Sequence, residues 1–285
     1  RASAVTTLVA IGPDVSVSVR STLKSKSGSA RAAATEVLAR LQLLDLAECQ
    51  TLLKDADPRV RAAVARSLSK LGKPAVTVLA EMLADPESAV GAQAIRALQI
   101  NHADPQVAIG GLTRVLQRSE IRDSAGTALG SYGTLAQRAI PTIISAVPSE
   151  RPIFFYYHTD GAALALRHIG PPHPDDVPQI CQTLKQGPYP ASFIAAESLL
   201  TLGPEGKAVA DDLAATAIRW AEEYRLAKAR IPQEMQNDFT GNESVSILWG
   251  AERCATAFWH VTHDDRRFFE LLEVLIKKAG DPLFI

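Results

Sequence analysis

The chain repeats one pattern of apolar side chains about every thirty residues, and this repeat limits its fold more than any other feature. Copies of the segment 57–72 end at residues 12, 42, 72, 102, 133, 170, 203 and 262. The residue aligned with Val64 is always small, apart from Val64 itself, and the residue aligned with Leu68 is leucine or, once, phenylalanine. Positions four residues apart share one face of an α-helix. Such a repeat predicts helices that bury their apolar faces against their neighbours in a stack.

A second set of apolar-striped segments lies between these copies. Residues 73–85 and 134–147 are two examples, and Asp-Pro pairs at Asp57-Pro58 and Asp85-Pro86 precede several helices of the first set. Aspartate caps a helix, and proline is tolerated in its first turn. Strand-like alternation is absent from the sequence. The fold class is therefore predicted to be all-α, with about 16 helices in antiparallel pairs forming a right-handed α-solenoid.

The repeating unit resembles the HEAT repeat. The features that carry the resemblance are Asp-Pro, then Val60-Arg61, then small residues and a Leu-x-x-Leu-Gly ending at Gly72. The unit is most similar to the short, phycobilisome-lyase-like HEAT repeats. The resemblance implies an armadillo-like helical fold but says little about activity, because such repeats occur in scaffolds, adaptors and a few enzymes. We predict a non-catalytic scaffold or adaptor for protein binding. The resemblance also implies an alternative, a bilin lyase-like enzyme that handles a ligand on the same scaffold.

The sequence predicts one array over residues 1–285, with regular repeats in 1–150 and specialised repeats in 151–285. Fifteen of the sixteen aromatic residues follow residue 150, and insertions interrupt the later repeats near 148–160 and 230–244. The family's arginine recurs in only four copies, so a ladder of Asp–Arg pairs is expected to fade in the C-terminal half. The first copy lacks a preceding outer helix, and residues 279–285 restart a repeat. We therefore expect a segment of a larger protein; a mature chain with these ends is the alternative.

Composition and motifs exclude several function classes. Thirty basic against 31 acidic residues argue against nucleic-acid binding, and the modest basic patch on the inner helices is interpreted as solvated surface (Arg40, Arg66, Lys70 and Arg96). The sequence holds no apolar run of 18 residues, so we expect no membrane segment. Phosphate-binding glycine loops and GxSxG motifs are absent, and the three cysteines fall on core-type helical positions. We expect no catalytic residue and no cofactor.

Two histidine- and acid-containing segments, 168–176 and 260–265, are candidate metal sites. Each ends in an acid pair directly before an outer helix, where carboxylates cap the helix and interact with its dipole. Zinc or iron needs three or four converging ligands. We interpret both acid pairs as helix caps and expect no metal.

The predicted binding surface for a protein or peptide partner is the concave face of the later repeats. There, positions aligned with 62, 66 and 69 combine apolar side chains with charged ones (Asp160, Leu164, Arg167, Phe193, Glu197, Leu200, Glu252 and Trp259). Exposed apolar strips with a polar rim are typical of interaction sites. Tighter curvature, with neighbouring helices covering these side chains, is the alternative. The aromatic run 154–158 is predicted either to line a ligand pocket or, more commonly, to pack against adjacent repeats.

Overall fold

The computed structural model describes residues 2–147, 161–229 and 243–280. The chain divides into two compact units, Arg1–Tyr132 (unit 1) and Gly133–Ile285 (unit 2). The described residues form sixteen α-helices joined by turns and short 3-10 helices, and they contain no strand. The prediction of an all-α solenoid with about 16 helices is confirmed.

Unit 1 is a stack of helical hairpins in which odd-numbered helices form the inner layer and even-numbered helices the outer layer. The inner helices contact one another in sequence order, α1 with α3, α3 with α5, and so on to α9. The helices are α1 (Ala2–Ile11), α2 (Ser16–Thr22), α3 (Gly28–Arg40), α4 (Leu46–Leu52), α5 (Pro58–Leu68), α6 (Lys73–Met82), α7 (Ser88–Ile100), α8 (Pro105–Arg114) and α9 (Arg122–Gly130).

Unit 2 continues the same alternation with longer helices towards its end. The inner helix α13 contacts α11 and α15, and the outer helix α14 contacts α12 and α16. The helices are α10 (Ile140–Ser145), α11 (Gly161–Ile169), α12 (Val177–Gln186), α13 (Tyr189–Leu200), α14 (Ala210–Lys228), α15 (Glu243–Thr262) and α16 (Asp265–Ala279).

The repeated columns of small and leucine side chains form the core. In unit 1 the leucine column is fully buried from α3 to α9, and in unit 2 Leu199 and Phe258 continue it. Small residues such as Ala94 and Ala195 are buried beside them, which lets neighbouring helices approach closely. The first copy differs because Ala4 is exposed and Leu8 is only half-buried. Helix α1 has an inner neighbour on one side only among the described residues.

A short ladder of arginine–aspartate pairs links successive repeats of unit 1. Arg31 binds the Asp55 carboxylate at 2.7 Å, and Arg61 binds that of Asp85 at 2.7 Å in the same geometry. Arg61 also donates to the Asp55 carbonyl. The next repeat has Gly91 at this position, and there Arg118 donates to the Asp85 carbonyl instead. These bonds satisfy turn carbonyls that would otherwise be left without partners between the layers.

Two polar side chains tie neighbouring inner helices of unit 1 together at their C-terminal ends. The Tyr132 hydroxyl donates to the Leu98 carbonyl at 2.7 Å, and the Asn101 amide donates to the Leu68 carbonyl at 3.3 Å and to the Gly72 carbonyl at 2.9 Å. Asn101 and Tyr132 occupy the same column of the repeat, one copy apart. Each therefore binds a carbonyl at the end of the preceding inner helix, where helical partners are missing.

Candidate functional site

The inner face of unit 1 contains an open cavity of about 360 Å³ between helices α1, α3 and α5. Small side chains such as Ala32 and Ala33 form much of its wall, and three charged side chains border it. The charged side chains are those of Glu36, Arg40 and Arg59, and the remaining lining comes from Val5, Thr6 and Ser29. Its volume falls within the range of ligand sites, and the cavity is open to solvent.

One carboxylate on this face joins two arginines from adjacent helices. Glu36 accepts from Arg40 at 2.6 Å within α3, and it lies 3.3 Å from Arg66 of α5. Arg66 is exactly one repeat beyond Glu36 in the sequence, so the contact shows that α3 and α5 are stacked in register. Both arginines remain substantially exposed, with 41% and 51% of their side chains accessible.

The same three positions one repeat further along hold only cations. Arg66 replaces Glu36, Lys70 replaces Arg40, and Arg96 of α7 replaces Arg66. All three side chains are exposed, and Lys70 and Arg96 form no ion pair within the described residues. From the sequence these residues were interpreted as solvated surface, because they form only a modest basic patch. Charged residues recur one repeat apart at positions 36, 66 and 96, and this recurrence is the sequence feature that could have identified the charged surface on the inner helices.

Arg59 at the edge of the cavity is held by the cap of its own helix. Its guanidinium lies 2.6 Å from the Asp57 carboxylate, which also accepts from the Arg59 backbone N–H at the start of α5. The hydrogen bonds from Arg59 lower the pKa of Asp57 to about 2. Asp57 is therefore ionised at neutral pH, and it fixes the position of Arg59 beside the cavity.

The predicted binding strip in unit 2 is only partly exposed. Arg167 and Glu252 are exposed, whereas Leu164, Leu200 and Trp259 are half-buried. The expectation that Phe193 lies on an open face is wrong, because its side chain is only 2% exposed. Helix α13 is covered by α10, α11, α12 and α15, so a residue on almost any of its faces is buried. Asp160 and the aromatic run 154–158 lie outside the described residues.

Glu197 in this strip belongs to a sequestered ion pair. Its carboxylate lies 2.6 Å from the Arg253 guanidinium of α15, with only 12% of the Glu197 side chain accessible. Burial raises the pKa of Glu197, while the charge of Arg167 opposes that shift. Burial also lowers the pKa of Arg253. The pair links α13 to α15 and is better suited to fixing their register than to contacting a partner.

The two histidine- and acid-containing segments are occupied by internal contacts. Asp264 caps α16 as predicted, accepting from the Arg267 backbone N–H, and Asp265 accepts from the Trp259 indole. Asp176 occupies the N-cap position of α12, but its side chain makes no capping hydrogen bond. The expectation of side-chain capping is wrong for this acid pair, because the carboxylates of Asp175 and Asp176 instead bind Arg138 at 2.6 and 3.0 Å. Within the described ranges, no three His, Cys, Asp or Glu side chains are grouped as a metal site would require.

The three cysteines are buried in the helical core and form no disulfide. Burial raises the pKa of Cys49 to about 11 and raises the pKa of Cys181 and Cys254 as well. Each side chain is therefore a neutral thiol near pH 7, and the thiolate that a nucleophilic cysteine needs is disfavoured. These positions agree with the interpretation of the cysteines as core residues.

The geometry defines the chain as an α-helical repeat protein. Residues 18–99, from α2 into α7, match the family described as HEAT repeats, so this segment is similar to HEAT repeats. No curated protein matches the chain. A solved structure of an engineered protein, a structural-genomics target, is similar at 18% identity and a TM-score of 0.45, covering 93% of this chain and 76% of that one. No helix of the described ranges is long and apolar enough to cross a membrane.

Proposed function

We propose that unit 1 is a non-catalytic recognition module that binds an extended segment of a partner protein along its inner face. The cavity between α1, α3 and α5 is the observation that carries this proposal. It lies on helices that are packed against one another, so binding would require little ordering of the surface. The matched HEAT repeats support the proposal, since such repeats typically bind protein partners.

The test is selection of binders from a random peptide library displayed on phage, with the full chain as bait. Ala33→Trp should fill the cavity and abolish the enrichment seen with the unaltered chain. Ala32→Arg, whose long side chain can extend to solvent, is a second variant with less risk to the fold. Ala215→Trp on an exposed position of α14 is the matched control.

Enriched peptides that bind the control but neither cavity variant would support the proposal, provided that all variants keep the melting temperature of the unaltered chain. Absence of any enrichment, or peptides that bind both cavity variants as tightly as the control, would contradict it. The proposal does not extend to the residues predicted in unit 2, of which Arg167, Glu252 and Trp259 remain candidates for a second contact surface.

The relation to phycobilisome-lyase-like repeats and the ligand-handling alternative remain predictions. That alternative rests on the repeat resemblance and would use the aromatic-rich half of the chain, whose run 154–158 lies outside the described residues. Titration of the chain with tetrapyrroles, followed by absorbance, tests it directly. A saturable spectral change would favour a ligand-handling role for unit 2.

A further inference from the structure

Positive charge on unit 1 is concentrated on the inner helices. Unit 1 has 16 basic and 12 acidic residues, a net charge of +4. Helices α1, α3, α5 and α7 contain six arginines but a single carboxylate, that of Glu36. Two of these arginines are bound in the Asp–Arg ladder and Arg59 is bound to Asp57. The other cations of these inner helices are exposed and form one band on α3, on α5 and just after it, and on α7; Glu36 contacts two of them, and the band consists of Arg40, Arg66, Lys70 and Arg96.

The contact made by Glu36 shows what this band can hold. A single carboxylate there binds one cation four residues later in its own helix and another on the next inner helix. Helix α7 packs against α5 as α5 packs against α3, and Arg66, Lys70 and Arg96 occupy the positions of Glu36, Arg40 and Arg66 one repeat along. A carboxylate placed there would therefore meet cations from both helices. The chain has Arg66, and not an acid, at the position that Glu36 occupies one repeat earlier, so a carboxylate bound there would come from another molecule.

We propose that the partner segment is acidic and that one of its carboxylates binds between Arg66, Lys70 and Arg96. This inference rests on the proposed function and adds the chemistry of the partner. A carboxylate suits this position because guanidinium groups bind it with directed hydrogen bonds. Duplex DNA fits less well, because the cations form one narrow band that also contains Glu36, whereas a duplex needs a broad basic surface to neutralise several phosphates.

The experiment measures binding of a fluorescent decapeptide of alternating glutamate and alanine to the full chain by anisotropy. Its controls are the same peptide with glutamine in place of glutamate and a short DNA duplex. Arg66→Glu recreates the Glu36 arrangement one repeat along, so its carboxylate should pair with Lys70 and Arg96 and occupy the site. Arg114→Glu changes the charge equally at an exposed position on the outer helix α8.

We expect Arg66→Glu to weaken binding of the glutamate peptide about tenfold or more and Arg114→Glu to change it less than about twofold, because only the first alters the local site. Raising the salt concentration from 50 to 500 mM should also weaken binding by about tenfold, since the site is exposed. Glu36→Gln releases Arg66 from its internal partner and should strengthen binding. The glutamine peptide should not bind.

Equal losses in Arg66→Glu and Arg114→Glu would overturn the proposal, because they would show attraction to net charge rather than to a site. Tighter binding of the duplex than of the peptide, lost in Arg66→Glu, would also overturn it. Library peptides that require the cavity but bind Arg66→Glu normally would leave the recognition function intact and refute the acidic partner. Failure of all library peptides would refute the recognition function itself.

Discussion

Truncation of Phe193 should destabilise unit 2 strongly, although the sequence places this residue on an open face. The ring is 2% exposed and lies on a helix covered by four neighbours. Phe193→Ala removes the ring from a packed core, which costs about 3–5 kcal/mol of unfolding free energy. With a urea dependence of about 2 kcal/mol per molar, a loss of about 4 kcal/mol lowers the denaturation midpoint by about 2 M.

Tryptophan fluorescence measures this effect selectively, because all three tryptophans lie in unit 2. Urea titrations of the full chain should show the shifted midpoint by fluorescence, and circular dichroism reports both units together. Phe269→Ala is the matched control, since that ring is 62% exposed on α16 and its loss should cost less than about 1 kcal/mol. An unchanged midpoint for Phe193→Ala would refute the packing described here and restore Phe193 as a surface residue.

Two further predictions concern unit 1. Gly28→Ala should destabilise unit 1 by about 1–3 kcal/mol, because the added methyl group would overlap the Asp57 carboxylate, whereas Gly110→Ala in α8 has open space around it and should stabilise unit 1 by about 0.5–1 kcal/mol. Urea titrations followed by circular dichroism give the sign of each change in unfolding free energy, and equal changes would contradict the close approach of Gly28 to Asp57. The folded-state pKa of Asp57 lies below its unfolded value, so its contribution is complete above about pH 4 and is lost as the pH falls towards 2. The melting temperature should fall over that range, and Asp57→Asn should show a shallower fall; the same slope in both chains would assign the acid sensitivity to other groups.

The sequence predicted the fold well because the repeat encodes local helix faces. The leucine and small-residue columns are buried from α3 onwards, since positions four residues apart must share a helix face whatever the packing around them. The recurrence of Arg31 and Arg61 identified the positions of the Asp–Arg ladder, but their partners Asp55 and Asp85 are known only from the structure. Asp264 as a helix cap followed from its position directly before a helical segment.

The candidate site could not be predicted with the same success because exposure depends on neighbouring repeats. Phe193 and Ala62 occupy the same column, yet Phe193 is buried and Ala62 is half-exposed. The difference arises from the helices that cover α13, and no pattern within one repeat specifies how many neighbours a helix has. Asp175 and Asp176 are a similar case, since their partner Arg138 is almost forty residues away.

By itself, the sequence determined that this chain folds into stacked helical pairs, because apolar periodicity and helix termini are local properties. Only the tertiary structure decided which charged residues meet. Glu36 is thirty residues from Arg66 in the chain, and it binds that arginine only because α3 and α5 stack in register. The proposed carboxylate position between Arg66, Lys70 and Arg96 likewise depends on the packing of α5 against α7, which the sequence of one repeat does not specify.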